Sequence, residues 1–228
     1  MNGKLSIRYG LLFFAAFAAA AIYTLLLPWL PYPASVVLKT AMCALLAEYA
    51  REARQKLLVA ALLFSAAGDA FLGIDAERLF VPGLASFLIA HVFYIAIFIR
   101  NGNAALSRPR QLLLAIIVAF TLAYATILWP VLGGLRWPVA AYMTVITVMT
   151  MCSLRMKSPL LPLGAMLFMI SDSLIALGKF LAPGAWLGPS IWITYAAAQL
   201  LITYGLVGRL AELHKKPFRA QSTQITEQ

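Results

Sequence analysis

The chain has 228 residues, 63% of them hydrophobic and 11% charged, with a formal net charge of +10 and a mean hydropathy of +0.88. This balance excludes an ordinary water-soluble domain, in which about half the residues are apolar and about a quarter charged. The positive charge alone would suit a nucleic-acid binder, but the eighteen Lys and Arg residues are spread between hydrophobic runs and form no recognition patch.

A hydrocarbon layer about 30 Å thick needs roughly 20 apolar residues of helix at about 1.5 Å rise each. Eight runs approach that length: 9–27, 34–50, 56–73, 79–99, 111–129, 137–154, 159–181 and 189–208, separated by Pro, Gly, Asn and basic residues. The first follows Lys4 and Arg8 and contains Ala-x-Ala choices, as a secretory signal would. It is long for such a signal, and its removal would break the alternation of basic loops. The second and third carry charges, so each is also readable as a re-entrant segment; the basic residues decide between the readings. Fourteen of the eighteen fall at the N-terminus, in alternate connections or in the tail, and only Arg78 and Arg136 fall in the others, with Lys39 and Lys179 inside helices. By the positive-inside rule this predicts an all-α polytopic membrane protein with eight transmembrane helices and both termini cytoplasmic. The transmembrane domain spans 1–210, and 211–228 form a polar cytoplasmic tail whose basic residues can touch anionic lipid.

Cys43 and Cys152 fall within predicted helices and read as small buried residues. No CxxC, HExxH or multi-histidine spacing occurs, so no protein-bound metal is expected. The absence of a G-x-S-x-G elbow, a P-loop and a dinucleotide fingerprint leaves no foothold for serine-hydrolase, ATPase or redox chemistry, and no cofactor is expected.

Polar groups inside the helices remain, at a cost of about 2.5–3.5 kcal/mol for each charge at a helix centre. Asp69 lies thirteen residues beyond Lys56, and Asp172 thirteen beyond Pro159. Each therefore sits about 20 Å along a helix running outward, which puts the two carboxylates at one level beyond the midplane. Lys39 enters its helix about 9 Å from the outer side and reaches the same layer, as do His91, Tyr142, Tyr195 and Gln199. Ser65 with Asp69 and Tyr195 with Gln199 are i,i+4 pairs, and His91 with Tyr94 is i,i+3, so each pair shares a face. Ser171 flanks Asp172, and Lys179 lies nearly in phase with it. Bland alternatives stand beside these readings: a structural Asp69–Lys39 ion pair, Lys39 as an interface anchor, a snorkelling Lys179, a hydrogen-bonded interior His91, and Tyr and Gln side chains acting as helix-helix glue. A short echo, small-Asp-x-x-apolar, recurs about one hundred residues apart in the third and seventh helices, as a four-plus-four parallel repeat would produce.

The strings "LLFSAAGDAFLG", "FLIAHVFYIAIF", "GAMLFMISDSLIALGKF" and "TYAAAQLLITYG" resemble the YhhN family of lysoplasmalogenase-like membrane proteins. The FSxxGD, AHxxY, SDxxxAxxKF and YxxAQxLI motifs stand in family order from the second helix onward. The resemblance implies eight helices and hydrolysis of the vinyl ether bond of lysoplasmalogen, giving a fatty aldehyde and glycerophosphoethanolamine or glycerophosphocholine. Asp69 and Asp172 match the family's paired aspartates.

A vinyl ether breaks by protonation of carbon to an oxocarbenium ion, followed by attack of water, and so needs an acid and a base. Two carboxyl groups in one low-dielectric site do not both ionise readily, so one can donate a proton while the other stabilises the cation and orients water. Asp172 is assigned the acid and Asp69 the base, the reverse order staying open. Lys39 keeps a carboxylate charged or binds phosphate, Tyr195 or Gln199 holds glycerol oxygens, and Ser65, His91, Tyr94, Tyr142, Ser171 and Lys179 complete the candidate substrate contacts. The expected partners are a lysophospholipid substrate and membrane lipids, in the bacterial inner membrane. The competing reading from another class is a proton-coupled transporter with midplane aspartates. Against it, the prolines sit near helix ends instead of breaking helix centres. A scaffold with buried ion pairs is a third.

Overall fold

The computed structural model describes residues 3–27 and 29–215, with side chains for Arg8, residues 10–27 and residues 29–208. Eight helices follow one another: α1 Gly3–Leu26, α2 Ala34–Glu52, α3 Lys56–Ile74, α4 Phe80–Asn101, α5 Arg108–Leu128, α6 Arg136–Ser153, α7 Leu160–Phe180 and α8 Leu187–Lys215. Their interiors are rich in Leu and Ala, which lose little or no rotamer freedom in a helix. Their ends fall where proline or glycine intervenes. Pro31 and Pro33 precede α2, Gly102 caps α4, Pro109 stands in the first turn of α5, and Pro159 is the N-cap of α7. α8 continues through Lys215 into the stretch expected as a tail, and residues 216–228 of that tail lie outside the described residues.

Among the described residues six segments are long and apolar enough to cross a bilayer: Lys56–Ile74, Phe80–Asn101, Arg108–Val131, Gly133–Ser153, Leu160–Phe180 and Leu187–Gly208. The chain is an integral membrane protein. In α1 the apolar part, Gly10–Leu26, is shorter. α2 is more polar because charges occupy its ends. Arg8 lies 3.7 Å from Glu48 and 3.4 Å from Glu52, Arg51 hydrogen-bonds Glu48, and Lys39 near the other end turns inward toward α3. Between them Met42, Cys43, Leu46 and Ala47 are buried in the core.

The helices close a ring. α1 packs on α2 and α8, α2 on α3, α3 on α4, α4 on α6, α6 on α7, α7 on α8, and α8 returns to α2. α5 stands outside, packed on α6 and burying only Ile117 and Leu128. The pattern is the same in both halves of the chain: the fourth helix of each half meets the second helix of the other. Two close approaches fix the depth of the inner side chains. A Cβ at Gly68 would lie 2.6 Å from the Phe87 ring of α4, and one at Gly164 would lie 2.7 Å from Ile202 and 3.1 Å from the Ala198 carbonyl of α8. Small residues at such crossings let helix backbones approach where lipid offers no hydrophobic drive to do so.

Candidate active site

Asp69 projects from α3 and Asp172 from α7 into one cavity of about 320 Å³, which Lys39 of α2 and Tyr195 of α8 also line. Asp69 is 1% exposed. Its Oδ2 accepts a 2.7 Å hydrogen bond from the Tyr195 hydroxyl, and its Oδ1 faces the Lys39 ammonium at 3.6 Å. A buried carboxylate without a counter-ion would cost several kcal/mol, and the ammonium together with the phenol offsets that cost. Tyr195 is held in turn. Cys43 Sγ lies 3.1 Å from its oxygen, and Gln199 Nε2 donates to it at 3.4 Å, while Gln199 Oε1 accepts from the Tyr94 hydroxyl at 2.7 Å. Tyr94 and Gln199 are fully buried. They stand behind Tyr195, away from the cavity lining, and orient it. Ser65, one turn below Asp69, is equally buried.

Asp172 has different company. Its Oδ2 accepts a 2.5 Å hydrogen bond from the Tyr142 hydroxyl of α6, and the imidazole Nε2 of His91 on α4 is 4.0 Å away. His91 is fully buried, with Phe168 and Tyr142 edge-on to its ring and both ring nitrogens without a hydrogen-bond partner. Ser171 lines the cavity but donates its hydroxyl to the Ile191 carbonyl, tying α7 to α8. Lys179, two turns beyond Asp172, lines the same cavity, with its ammonium 3.4 Å from Glu77 and 4.4 Å from the Phe80 ring centroid.

The two carboxyl environments are built alike and filled differently. Each aspartate comes from the third helix of its half, with one neighbour from the second helix of that half and one from the fourth helix of the other. Lys39 and Tyr142 are 103 residues apart, as are Asp69 and Asp172, and His91 and Tyr195 are 104 apart. Equivalent places therefore hold an ammonium and a phenol beside Asp69, but a phenol and an imidazole beside Asp172.

A second cavity, a slit of about 60 Å³, runs between α4, α5, α6 and α7, and Asp172 lines both spaces. Its walls are almost wholly apolar: Leu84, Phe120, Leu128, Val139, Met143, Ile146 and Met169 are among them. At its inner end Thr121 and Thr147 bond each other at 2.9 Å. Leu72, Phe80, Phe87 and Ile175 also line both spaces, so the slit adjoins the polar chamber.

Sequence reasoning passed over Cys43, Tyr23, Trp192, Glu77 and the slit. Cys43 reads as a small apolar residue until its contact with Tyr195 is seen. Trp192 and Tyr23 read as ordinary core aromatics, although Trp192 also anchors α8 to α1 by donating to Thr24 at 2.9 Å. An apolar slit leaves no mark in a chain that is apolar throughout. Among the described residues no three His, Cys, Asp or Glu side chains converge as a metal would require.

Comparison with known proteins gives these residues relatives. The sequence pattern of the YhhN family matches residues 33–206. Proteins named lysoplasmalogenase from Mycobacterium bovis and Mycobacterium tuberculosis are each 38% identical over 183 residues, 76% of this chain and 68% of theirs. Human lysoplasmalogenase TMEM86A is 35% identical over 157 residues, 64% of this chain and 63% of its own. No solved structure matches. With three-quarters of its length matched by the family pattern, and both carboxylates within that span, the chain belongs to the YhhN family.

Proposed function

We propose that the protein is an intramembrane lysoplasmalogenase that hydrolyses the vinyl ether of a lysophospholipid, with Asp172 as general acid and Asp69 as general base. The observation that carries this is the unequal company of two carboxyl groups facing one chamber. An ammonium at 3.6 Å keeps Asp69 charged, while Asp172 has only a phenol and an imidazole beside it. With repulsion between two charges in a low-dielectric site opposing double ionisation, the proton resides on Asp172. The meeting of polar chamber and apolar slit at Asp172, which lines both, supports the same reading. The glycerophospho end matches the first in polarity, the alkenyl chain matches the second once α5 yields to widen it, and the vinyl ether lies where they meet.

The proton cycle closes without an outside donor. Asp172 protonates the vinyl carbon remote from the ether oxygen, and the π electrons form the new C–H bond. The oxocarbenium ion that results is stabilised by the Asp69 carboxylate. Water attacks the cationic carbon as Asp69 takes one of its protons, giving a hemiacetal. Asp172, now ionised, accepts the hemiacetal O–H proton while Asp69 returns its proton to the glycerol oxygen. The C–O bond breaks to aldehyde and alcohol, and both side chains regain their starting states. Tyr195 and Lys39 hold Asp69 in place, and Tyr142 fixes one Asp172 oxygen and leaves the other for the proton. The matched spacing of both sites supports an ancestral four-plus-four duplication whose halves diverged to supply an acid and a base. Eight crossings with cytoplasmic termini, in a bacterial inner membrane, place the chamber mouth at the outer side.

The test is incubation of the purified protein with lysoplasmalogen and with its saturated ether and ester analogues. Free aldehyde is expected from the vinyl ether alone. Fatty acid from the ester, or no aldehyde from the vinyl ether, overturns the assignment.

A further inference from the structure

We infer that the Glu77–Lys179 ion pair at the mouth of the chamber reads the substrate headgroup, with Glu77 selecting for a cationic amine. The inference rests on the lysophospholipid reading of the chamber. Glu77 and Lys179 face each other across the entrance from the α3–α4 connection and the end of α7, 3.4 Å apart, and both line the cavity. Their exposures differ sharply: 19% for the Lys179 side chain and 88% for Glu77. Lys179 is held against the Phe80 ring, whereas Glu77 reaches into solvent from a backbone fixed by Asp75. The Asp75 Oδ1 accepts the Glu77 and Arg78 amide protons at 3.0 and 2.9 Å. The other charges of this connection, Asp75 and Arg78, lie 3.8 Å from each other, so Glu77 and Lys179 set the charge pattern of the entrance.

Lys179 stands seven residues beyond Asp172 on the same helix, about 10 Å along its axis. That interval is met by the glycerol unit with its two terminal oxygens, plus one contact distance at each end, when the ether lies at Asp172 and the phosphate at Lys179. A headgroup with phosphate and ammonium ends can then exchange partners with the resident pair. The phosphate takes Lys179, with Lys39 farther in, and the ammonium takes Glu77. Every charge keeps an opposite charge, so desolvating the headgroup leaves none unpaired. A headgroup that is phosphate alone cannot complete this exchange and sets its negative charge against the Glu77 carboxylate. Glu77 thus discriminates by attraction to one class and repulsion of the other.

The experiment measures binding of saturated ether lysolipids, which carry the headgroup but no vinyl ether, to wild-type protein, Glu77→Gln and Glu77→Lys in detergent, using ethanolamine-phosphate and phosphate-only headgroups. Aldehyde release from the corresponding vinyl ethers is followed alongside. Wild type is expected to favour the ethanolamine headgroup. Because Glu77 is exposed, Glu77→Gln should erode that preference by about fivefold, from both weaker amine binding and tighter phosphate-only binding. Glu77→Lys should reverse it. Equal changes for both headgroups, or a preference undiminished in Glu77→Gln, overturns the inference. Should aldehyde never form while the headgroup preference follows Glu77, the inference stands and the hydrolase reading falls.

Discussion

At the scale of single residues, the chemistry depends on what stands next to each carboxyl group. Lys39 is the clearest case, because its ammonium is the charge that distinguishes the Asp69 site from the otherwise parallel Asp172 site. Lys39→Met should lower turnover of vinyl ether substrate by about 100-fold, the scale of losing one acid–base participant. Lys39→Arg, which restores a cation, should recover part of the rate. A steady-state comparison of purified variants checks this, and unchanged turnover in Lys39→Met would show that Asp69 keeps its charge without it. Much of this site was legible in the sequence, since a charged or polar atom at mid-bilayer depth is expensive and must have a partner. Asp69, Asp172, Lys39, Tyr142 and Tyr195 all announced themselves in that way. The finer division among the polar groups did not. Whether Tyr94 and Gln199 meet substrate or stand behind Tyr195 depends on side-chain direction across three helices. Cys43 and Glu77 looked ordinary in their local contexts, one as a small residue in a helix and the other as a solvated loop charge.

At the scale of elements, the slit between α4, α5, α6 and α7 is the part of the account that periodicity did not reveal. All four helices are apolar on most faces, so nothing in the spacing separates lipid-facing positions from slit-facing ones. At about 60 Å³ the slit is too narrow for a long alkenyl chain as it stands, and α5, which buries only Ile117 and Leu128, is the wall with least to lose by yielding. Thr147 closes the inner end beside Thr121, so Thr147→Trp should shorten the slit without touching either carboxyl group. The expected outcome is a shift of chain-length preference, with KM for long-chain lysoplasmalogens rising about tenfold and short-chain substrates little changed, on the scale of a few methylenes lost from an apolar pocket. A uniform loss across chain lengths would instead place the chain elsewhere.

At the scale of the whole molecule, the ring α1–α2–α3–α4–α6–α7–α8 carries one chamber-lining carboxyl group on the third helix of each half and supports each from the opposite half. The number of helices and their order were readable from the apolar runs, because helix length is set by bilayer thickness. The closure of the ring and the exclusion of α5 were not, because they depend on which apolar faces carry the small residues that let helices approach. Gly68 and Gly164 show their role only when Phe87 and Ile202 are seen against them. The arrangement makes the two halves interdependent: neither aspartate keeps its partners unless both halves are present. The most direct measurement is aldehyde release from lysoplasmalogen by purified wild type, Asp69→Asn and Asp172→Asn, each shown by thermal unfolding to be folded in detergent. Both variants should lose at least about 100-fold in kcat. Wild-type turnover by either folded variant would contradict the paired acid and base.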